Sequence, residues 1–484
     1  MRSVKDLAKE ARKLMEGPTH EDRERAHKLR YDLYVGKYRK HIVERLKRLC
    51  PETWEDFSPI WINVYRKVID RRAGGLYATA PARRYYYADG TEVTEEEKIR
   101  IESALSPDYF SGVMDKVARY LESHRTLAVA AVYRHGSTEL DVITPAGFDV
   151  ITGYPDPTRL SDADAFIHER PGGCVVWTQA PDTLSNANPI FIELNEKWEV
   201  TNVGENPYLS GNAWIVPFAL LQYEDPDAHL FLEGGEELVE AALHVAFTLT
   251  DNAFIERFQS FGQPVFQGVP DNVAKTLTLS PNVGIGLGDG QTLDFKAPPG
   301  NATDRVAGLQ SFLTILANAY DLPPDVLTPS YNPESGIAKR LSSAPLSTYR
   351  ERYAKRLALA EQSVFEVWKV VHNTHSAEVD RIDPGVYLQT THAPAQPFFD
   401  ASEQDSRIQA RLTLGLDSVV DVLAREQGVD RATAEQILAR NRADNGAAAS
   451  ATPNPVPAAP GPIASLRERM AQRAAAMPPG GSTP

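Results

Sequence analysis

The residues best placed to do chemistry lie between 325 and 378. Lys339, Arg340, Arg350, Arg352, Lys355 and Arg356 form a cationic cluster that only Glu351 offsets nearby. Guanidinium and ammonium groups gathered in this way either pair with carboxylates on another surface or meet phosphates. Just before them, Leu327, Thr328, Pro329, Ser330, Tyr331 and Asn332 are all neutral. A neutral stretch can touch a passing polyanion sterically, without the salt-dependent grip of arginines. His372 and His375 stand three apart at a helix end with Glu378 close by, a spacing that can ligate a metal. No third ligand is placed, and a helix C-terminus favours histidine anyway, so no metal site is expected. The run Gly284 to Gly290 (GIGLGDG) fails the dinucleotide pattern, because Asp289 stands where the third glycine belongs and no helix follows. The sequence holds no Gly-Lys-Ser/Thr phosphate loop. Nothing sets a nucleophile, a base and an orienting group together. Neither a cofactor nor an enzymatic activity is expected.

The elements that must position these residues are a helix, a stiff loop and a long second helix. Val306, Leu309, Leu313, Leu316 and Tyr320 recur at steps of three and four, which puts them on one helical face. Asp304 suits the positive end of that helix. Pro323 and Pro324 remove two backbone donors in succession and stop it near Leu322. The loop Asp325 to Glu334 carries Pro329 and Pro333 as well, and Asn332 before Pro333 is a good start for a new helix. From there Ile337, Leu341, Leu346, Tyr349, Tyr353, Leu357, Ala360, Val364, Val367 and Val371 hold near-helical spacing, with a kink expected at Pro345. Roughly 35 helical residues would span over 50 Å at about 1.5 Å each.

The chain has 484 residues, of which 42% are hydrophobic and 24% charged, values of a folded protein with several domains. Two cysteines, Cys50 and Cys174, are too few for a disulfide framework and fit a reducing compartment. The charged N-terminus lacks the apolar core of a signal peptide. No run approaches the roughly 18 apolar residues of a membrane span, so a soluble intracellular protein is expected. A net charge of −14 suits a protein past which DNA slides better than one that clamps it.

Read in order, residues 3 to 15 and about 21 to 48 are helical patterns, the second with a tyrosine stripe at Tyr31, Tyr34 and Tyr38. A helix begins near Trp61 and a short strand follows at Arg83 to Tyr87. Glu95 to Leu121 reads as one helix. Between Leu127 and Val216 the period drops to two, giving strands at 129–133, 139–144, 174–178, 190–194 and 197–201. Glu236 to Asp251 is a helix with an almost continuous apolar middle, hence buried on every side. Short strands at 264–267, 276–279 and 291–295 follow, and another lies at 386–391. Helices at 406–414, 416–427 and 431–442 precede an Ala-, Pro-, Gly- and Ser-rich tail. In that tail a short helix at Ile463 to Met470 is the one pattern.

The stretch Leu316 to Leu327 (LANAYDLPPDVL), followed by Ser335 to Leu341 (SGIAKRL) opening a long helix, resembles the portal proteins of tailed bacteriophages. In that family such motifs bracket the tunnel loop. The block Phe258 to Phe266 resembles the turn from stem helix to clip. Phe148 to Pro157, with its Asp-Pro turn, resembles the wing. The resemblance implies an α+β portal-type subunit. Its parts would be N-terminal helices (1–58), a wing (59–233) and a stem helix (234–260). A small β-rich clip (261–302), a second stem helix (303–320) and a tunnel loop (321–335) would follow. A long kinked helix (336–375), a strand returning to the wing (376–400), a helical crown (401–444) and a disordered tail (445–484) would complete it. It further implies a homo-oligomeric ring of about twelve at one capsid vertex, assembled in the host cytoplasm. Its partners would be double-stranded DNA, the large terminase, the major capsid and scaffolding proteins, and head-completion proteins, with no membrane. Lys339, Arg340, Arg350, Arg352, Lys355 and Arg356 would contact either DNA or the neighbouring subunit. A head–tail adaptor ring and a soluble hydrolase are the alternatives. Adaptors are usually shorter and lack a long helix after a tunnel loop, and a hydrolase needs no ring.

Overall fold

The structure, a computed structural model, describes residues 3–152, 163–178, 189–210, 213–224, 229–261, 263–267, 288–296, 302–328, 336–393, 408–427 and 431–450. The chain divides into two compact units, Met1–Phe398 and Phe399–Pro484. It is an α+β protein in which every pairing within the described sheets is antiparallel.

Helix α1 (Val4–Met15) opens on a capping box: the Ser3 hydroxyl accepts from the Asp6 amide, and the Asp6 carboxylate accepts from the Ser3 amide. Helix α2 (Pro18–Tyr34) follows, then α3 (Tyr38–Leu49). The single helix expected over about 21–48 is thus two, because Gly36 turns the chain at φ +86°, which glycine adopts without strain. The tyrosine stripe is split as well, with Tyr38 fully buried and Tyr31 exposed. Helix α4 (Val64–Arg72) is capped by Asn63, whose side chain accepts from the Arg66 amide at 2.9 Å. After strand β1 (Ala82–Tyr86) come α5 (Glu95–Ala104) and α6 (Pro107–His124). The helix expected over Glu95 to Leu121 is broken because Pro107 excludes Ser106 from helical geometry and starts the next helix itself.

Strands β2 (Thr126–Arg134), β3 (Ser137–Ile143), β4 (Phe148–Ile151), β5 (Ala165–Arg170), β6 (Gly173–Thr178), β7 (Ile190–Asn195), β8 (Val200–Glu205), β9 (Leu209–Ser210), β10 (Ala213–Trp214) and β11 (Phe218–Gln222) form the β region. β4 to β8 make a five-stranded meander, and β2 pairs with both β3 and β11. Alternation along the meander gives it two apolar faces. Phe148, Phe166 and Trp177 join the main core, while Ile167, Val176 and Ile192 pack under Leu7, Ala8 and Ala11 of α1. β8 starts at Val200 and not at Lys197, because Asn195 closes a turn by accepting from the amides of Lys197 and Glu199 at 2.9 Å each. At Gly173 a Cβ would meet the Leu194 carbonyl oxygen at 1.9 Å, so only glycine fits between β6 and β7. Both cysteines are free, and burial pushes the Cys174 thiol up to about 12.

Helix α7 (Glu236–Phe261) runs well past the expected Asp251. Over Glu236–Glu256 it is long and apolar enough to cross a membrane, contrary to the reading that no run approaches such a length. Leu238, Val239, Ala242, Val245 and Ala246 sit in the main core, but Glu240 and His244 are exposed, so within one chain the helix is buried along one face and not on every side as expected. Strands β12 (Gln263–Gln267) and β13 (Thr292–Lys296) pair with each other; the strand expected at 276–279 lies outside the described residues. Helix α8 (Ala302–Ala319) and helix α9 (Gly336–His375) flank the proline-rich loop. β14 (Tyr387–Thr391) pairs with β1, joining the far end of the first unit to its beginning.

In the second unit a short helix at 408–413 precedes α10 (Val419–Gln427) and α11 (Arg431–Ser450). α10 starts three residues later than expected, because Ser418 and Asp421 cap each other reciprocally. Asp417 is occupied by Arg411 and Arg425, and the Arg411 guanidinium foremost holds its carboxyl well below the usual range. α11 continues to Ser450, so helix replaces the first six residues of the expected tail; the remainder lies outside the described residues.

Candidate functional site

The proline-rich loop leaves α8 through a closed turn. Asp321 adopts φ +57°, its amide donates to the Asn318 carbonyl at 3.2 Å, and the Leu322 amide donates to the Ala317 carbonyl at 2.9 Å. This is the helix-ending pattern usually built on glycine, here carried by an aspartate, which tolerates the left-handed region. A short 3₁₀ turn at Pro324–Val326 follows, and the amide and hydroxyl of Thr328 both donate to the Pro324 carbonyl, at 2.9 and 2.8 Å. Leu322 and Leu327 are buried with Leu313, Leu316 and Tyr320. Leu327, first of the neutral loop residues, therefore pins the start of the loop into the core. Pro329, Ser330, Tyr331 and Asn332 lie outside the described residues.

Beyond the loop, α9 is fixed into the body along one face. Leu346, Tyr349, Tyr353, Leu357, Ala360, Val364, Phe365 and Trp368 are buried in the core. Three polar clamps add to that seat. At the first, Glu122 on α6 accepts from the Tyr349 hydroxyl, and Arg72 on α4 lies 3.3 Å from the same carboxylate and 3.8 Å over the Tyr349 ring. Burial, then the Glu122 charge, holds the Tyr349 hydroxyl well above its ordinary pKa. At the second, the fully buried Glu361 carboxylate accepts two hydrogen bonds from Arg83 on β1, at 2.8 and 2.9 Å. It also accepts from Tyr77 at 2.8 Å and from Thr390 on β14 at 2.7 Å. At the third, the Lys369 ammonium donates to the Pro384 carbonyl at 2.9 Å and pairs with Glu366 at 2.8 Å.

The cationic cluster does not stay together as one surface. Arg350 is turned inward, where it donates to the carbonyls of Arg71 and Arg72 at the end of α4, and burial lowers its pKa. It caps a helix C-terminus within its own chain, a role the sequence did not reveal. Arg352 and Lys355 are exposed and make no ion pair among the described residues. Arg356 is half-buried. Lys339 and Arg340 lie in the first turns of α9, and their side chains are outside those described. Helical geometry explains the sorting, since a few residues along α9 turn a side chain from the solvent face to the buried one.

His372 and His375 are separated in the same way. His372 stacks on Trp368 with centroids 4.9 Å apart, and His375 stacks on Tyr133 at 4.5 Å. Among the described residues no group of three or more histidines, cysteines or carboxylates could hold a metal.

No protein-family model matches this chain, and no curated protein matches it. Among solved structures, a chain from the neck of an empty gene transfer agent particle, computed with C6 symmetry, is similar at 11% identity and a TM-score of 0.39. The match covers 77% of this chain and 96% of that one. A chain from the virion of a native gene transfer agent particle is similar at 10% identity and a TM-score of 0.37, over 76% of this chain and 90% of that one. Likeness this faint says nothing by itself about what the chain does, so the reading rests on the chain's own residues.

Sequence reasoning passed over Arg72, Arg83, Glu122 and Glu361. A signal existed for Glu361, a lone acid on the face that carries Leu357, Val364 and Trp368. A charge on an apolar stripe calls for a buried partner.

Proposed function

We propose that this chain is a portal subunit of a tailed-phage-like particle, forming a ring whose channel passes DNA during packaging and ejection. The observation that carries the reading is the order of α7, the β12–β13 pair, α8, the proline-rich loop and the 40-residue α9. In this reading the loop, stiffened by its prolines and entered through the buried Leu327, would act as a rigid projection, with a long helix clamped into the body behind it. Rigid projections are what a ring needs at a constriction through which a polymer moves.

Much of α8 is still solvent-facing, with Val306 and Ile315 exposed, as are Leu341 and Leu359 on α9. In this reading neighbouring subunits cover those faces, and Arg352 and Lys355 meet either phosphates or an acidic neighbour. Terminase, capsid, scaffolding and head-completion proteins would dock on other faces of the ring. The chain's role is structural, and the ATP-hydrolysing motor is a separate protein.

Shortening the loop between Asp325 and Glu334 tests the proposal. Rings should still form, while the length of DNA packaged or retained in particles carrying the deletion falls. Full-length, stably retained genomes in those particles would contradict it.

A further inference from the structure

A partly open cavity of about 910 Å³ lies beside α2, lined also by the ends of α1 and α6, by β4 and by the segment leading into α7. Across its wall, His27 Nδ1 of α2 and His124 Nε2 of α6 are 2.7 Å apart. The other ring nitrogen of His124 is 2.8 Å from the Ser123 hydroxyl, which is in turn 2.7 Å from the Tyr65 hydroxyl of α4. One hydrogen-bonded chain therefore ties three helices together beside the cavity. We propose that the His27–His124 pair is an acid-released latch that seats α2 over this cavity.

The argument is one of donors and acceptors. Two ring nitrogens facing each other at hydrogen-bond distance need one N–H and one bare nitrogen. When both rings are protonated each presents an N–H, no acceptor is left, and two positive charges face each other. The surroundings give little relief. Arg30 on α2 adds positive charge beside both rings, and Glu24 gives His27 a partial offset. Tyr31 and Tyr120 contribute neutral ring faces. Two carboxylates on the cavity wall are engaged: Asp149 of β4 by Arg23, and Glu236 by Arg30. Lys13 of α1 and Asp22 of α2, with His229 and Glu233 before α7, line the rest of the cavity and carry its remaining titratable charge.

Burial lowers the pKa of both histidines from the ordinary 6.5, with Arg30 adding to this for His27, and His27 and then Arg30 for His124. A depressed histidine contributes stability in full above 6.5 and loses it as pH falls toward the folded-state values. The latch is thus closed at neutral pH and opens on the acid side.

Hydrogen exchange of the full chain, corrected for the intrinsic pH dependence of exchange, tests this. Between about pH 7.5 and about pH 5, protection of the α2 amides should fall about tenfold or more while that of α9 holds. The His27→Gln/His124→Gln double variant should abolish that pH dependence. Constant α2 protection in the unaltered chain would overturn the proposal, as would α9 opening in step with α2. A double variant retaining the unaltered profile would do so as well. Should the variant not fold, the profile of the unaltered chain decides alone.

Discussion

Glu361 is fully buried and receives four hydrogen bonds, so most of its carboxylate is satisfied by Arg83, Tyr77 and Thr390. Such a pair adds little net stability over a well-packed apolar substitute, yet removing one partner strands the other in the core. Arg83→Met should therefore cost about 3–5 kcal/mol in denaturant unfolding, the loss expected when a buried charge is left without its partner. Arg83→Met unfolding with the same midpoint as the original chain would show the pair to be dispensable. His168 gives a second test at this scale. Burial, with Arg170 beside it, lowers its pKa to about 4, and it packs edge-on against Phe218 with centroids 5.2 Å apart. Its contribution is complete above 6.5 and lost as pH falls toward 4. His168→Leu should reduce the acid-side loss of stability by up to about 3 kcal/mol, measured by urea unfolding at neutral and acid pH. Parallel profiles for the two proteins would contradict this. Glu361 left a trace in the sequence as a lone acid on an apolar stripe, but its partners, and the setting of His168, show only once distant strands and helices have met.

At the scale of elements, periodicity spoke most clearly where it ran longest. The long α9 could be read from apolar spacing and from the prolines before it, while the placing of the strand that follows it came from the resemblance alone. Shorter signals failed for identifiable reasons. Gly36 and Pro107 each cut a helix that the apolar pattern alone would continue, and the Asn195 turn moved β8 by three residues. β5 was missed because its run, AFIHER, has two apolar faces and so little alternation. The burial of Leu327 was not legible, because a leucine among prolines carries no period to reveal its side. The helical hydrogen-bonding pattern of α9 extends on both sides of Pro345, an exposed position where the ring removes one donor. We expect a bend there, and Pro345→Ala should straighten the axis and raise stability by about 1–3 kcal/mol, at most the helix cost of a proline. Unchanged thermal unfolding together with an unchanged axis would show that the proline has no such effect.

At the scale of the whole molecule, the chain leaves apolar side chains on two long helices facing solvent while other side chains of α9 are clamped inward. Val306, Ile315, Leu341 and Leu359 are each at least half exposed. In the proposed ring, neighbouring subunits would cover these apolar side chains. In that proposed ring, the acidic balance of −14 per chain would repel a duplex more than it grips one. Light scattering coupled to size exclusion tests this central claim most directly. The account predicts a single stable species near 640 kDa, about twelve copies of the 53.4 kDa chain, independent of dilution. A stable species of 53.4 kDa at every concentration would contradict it.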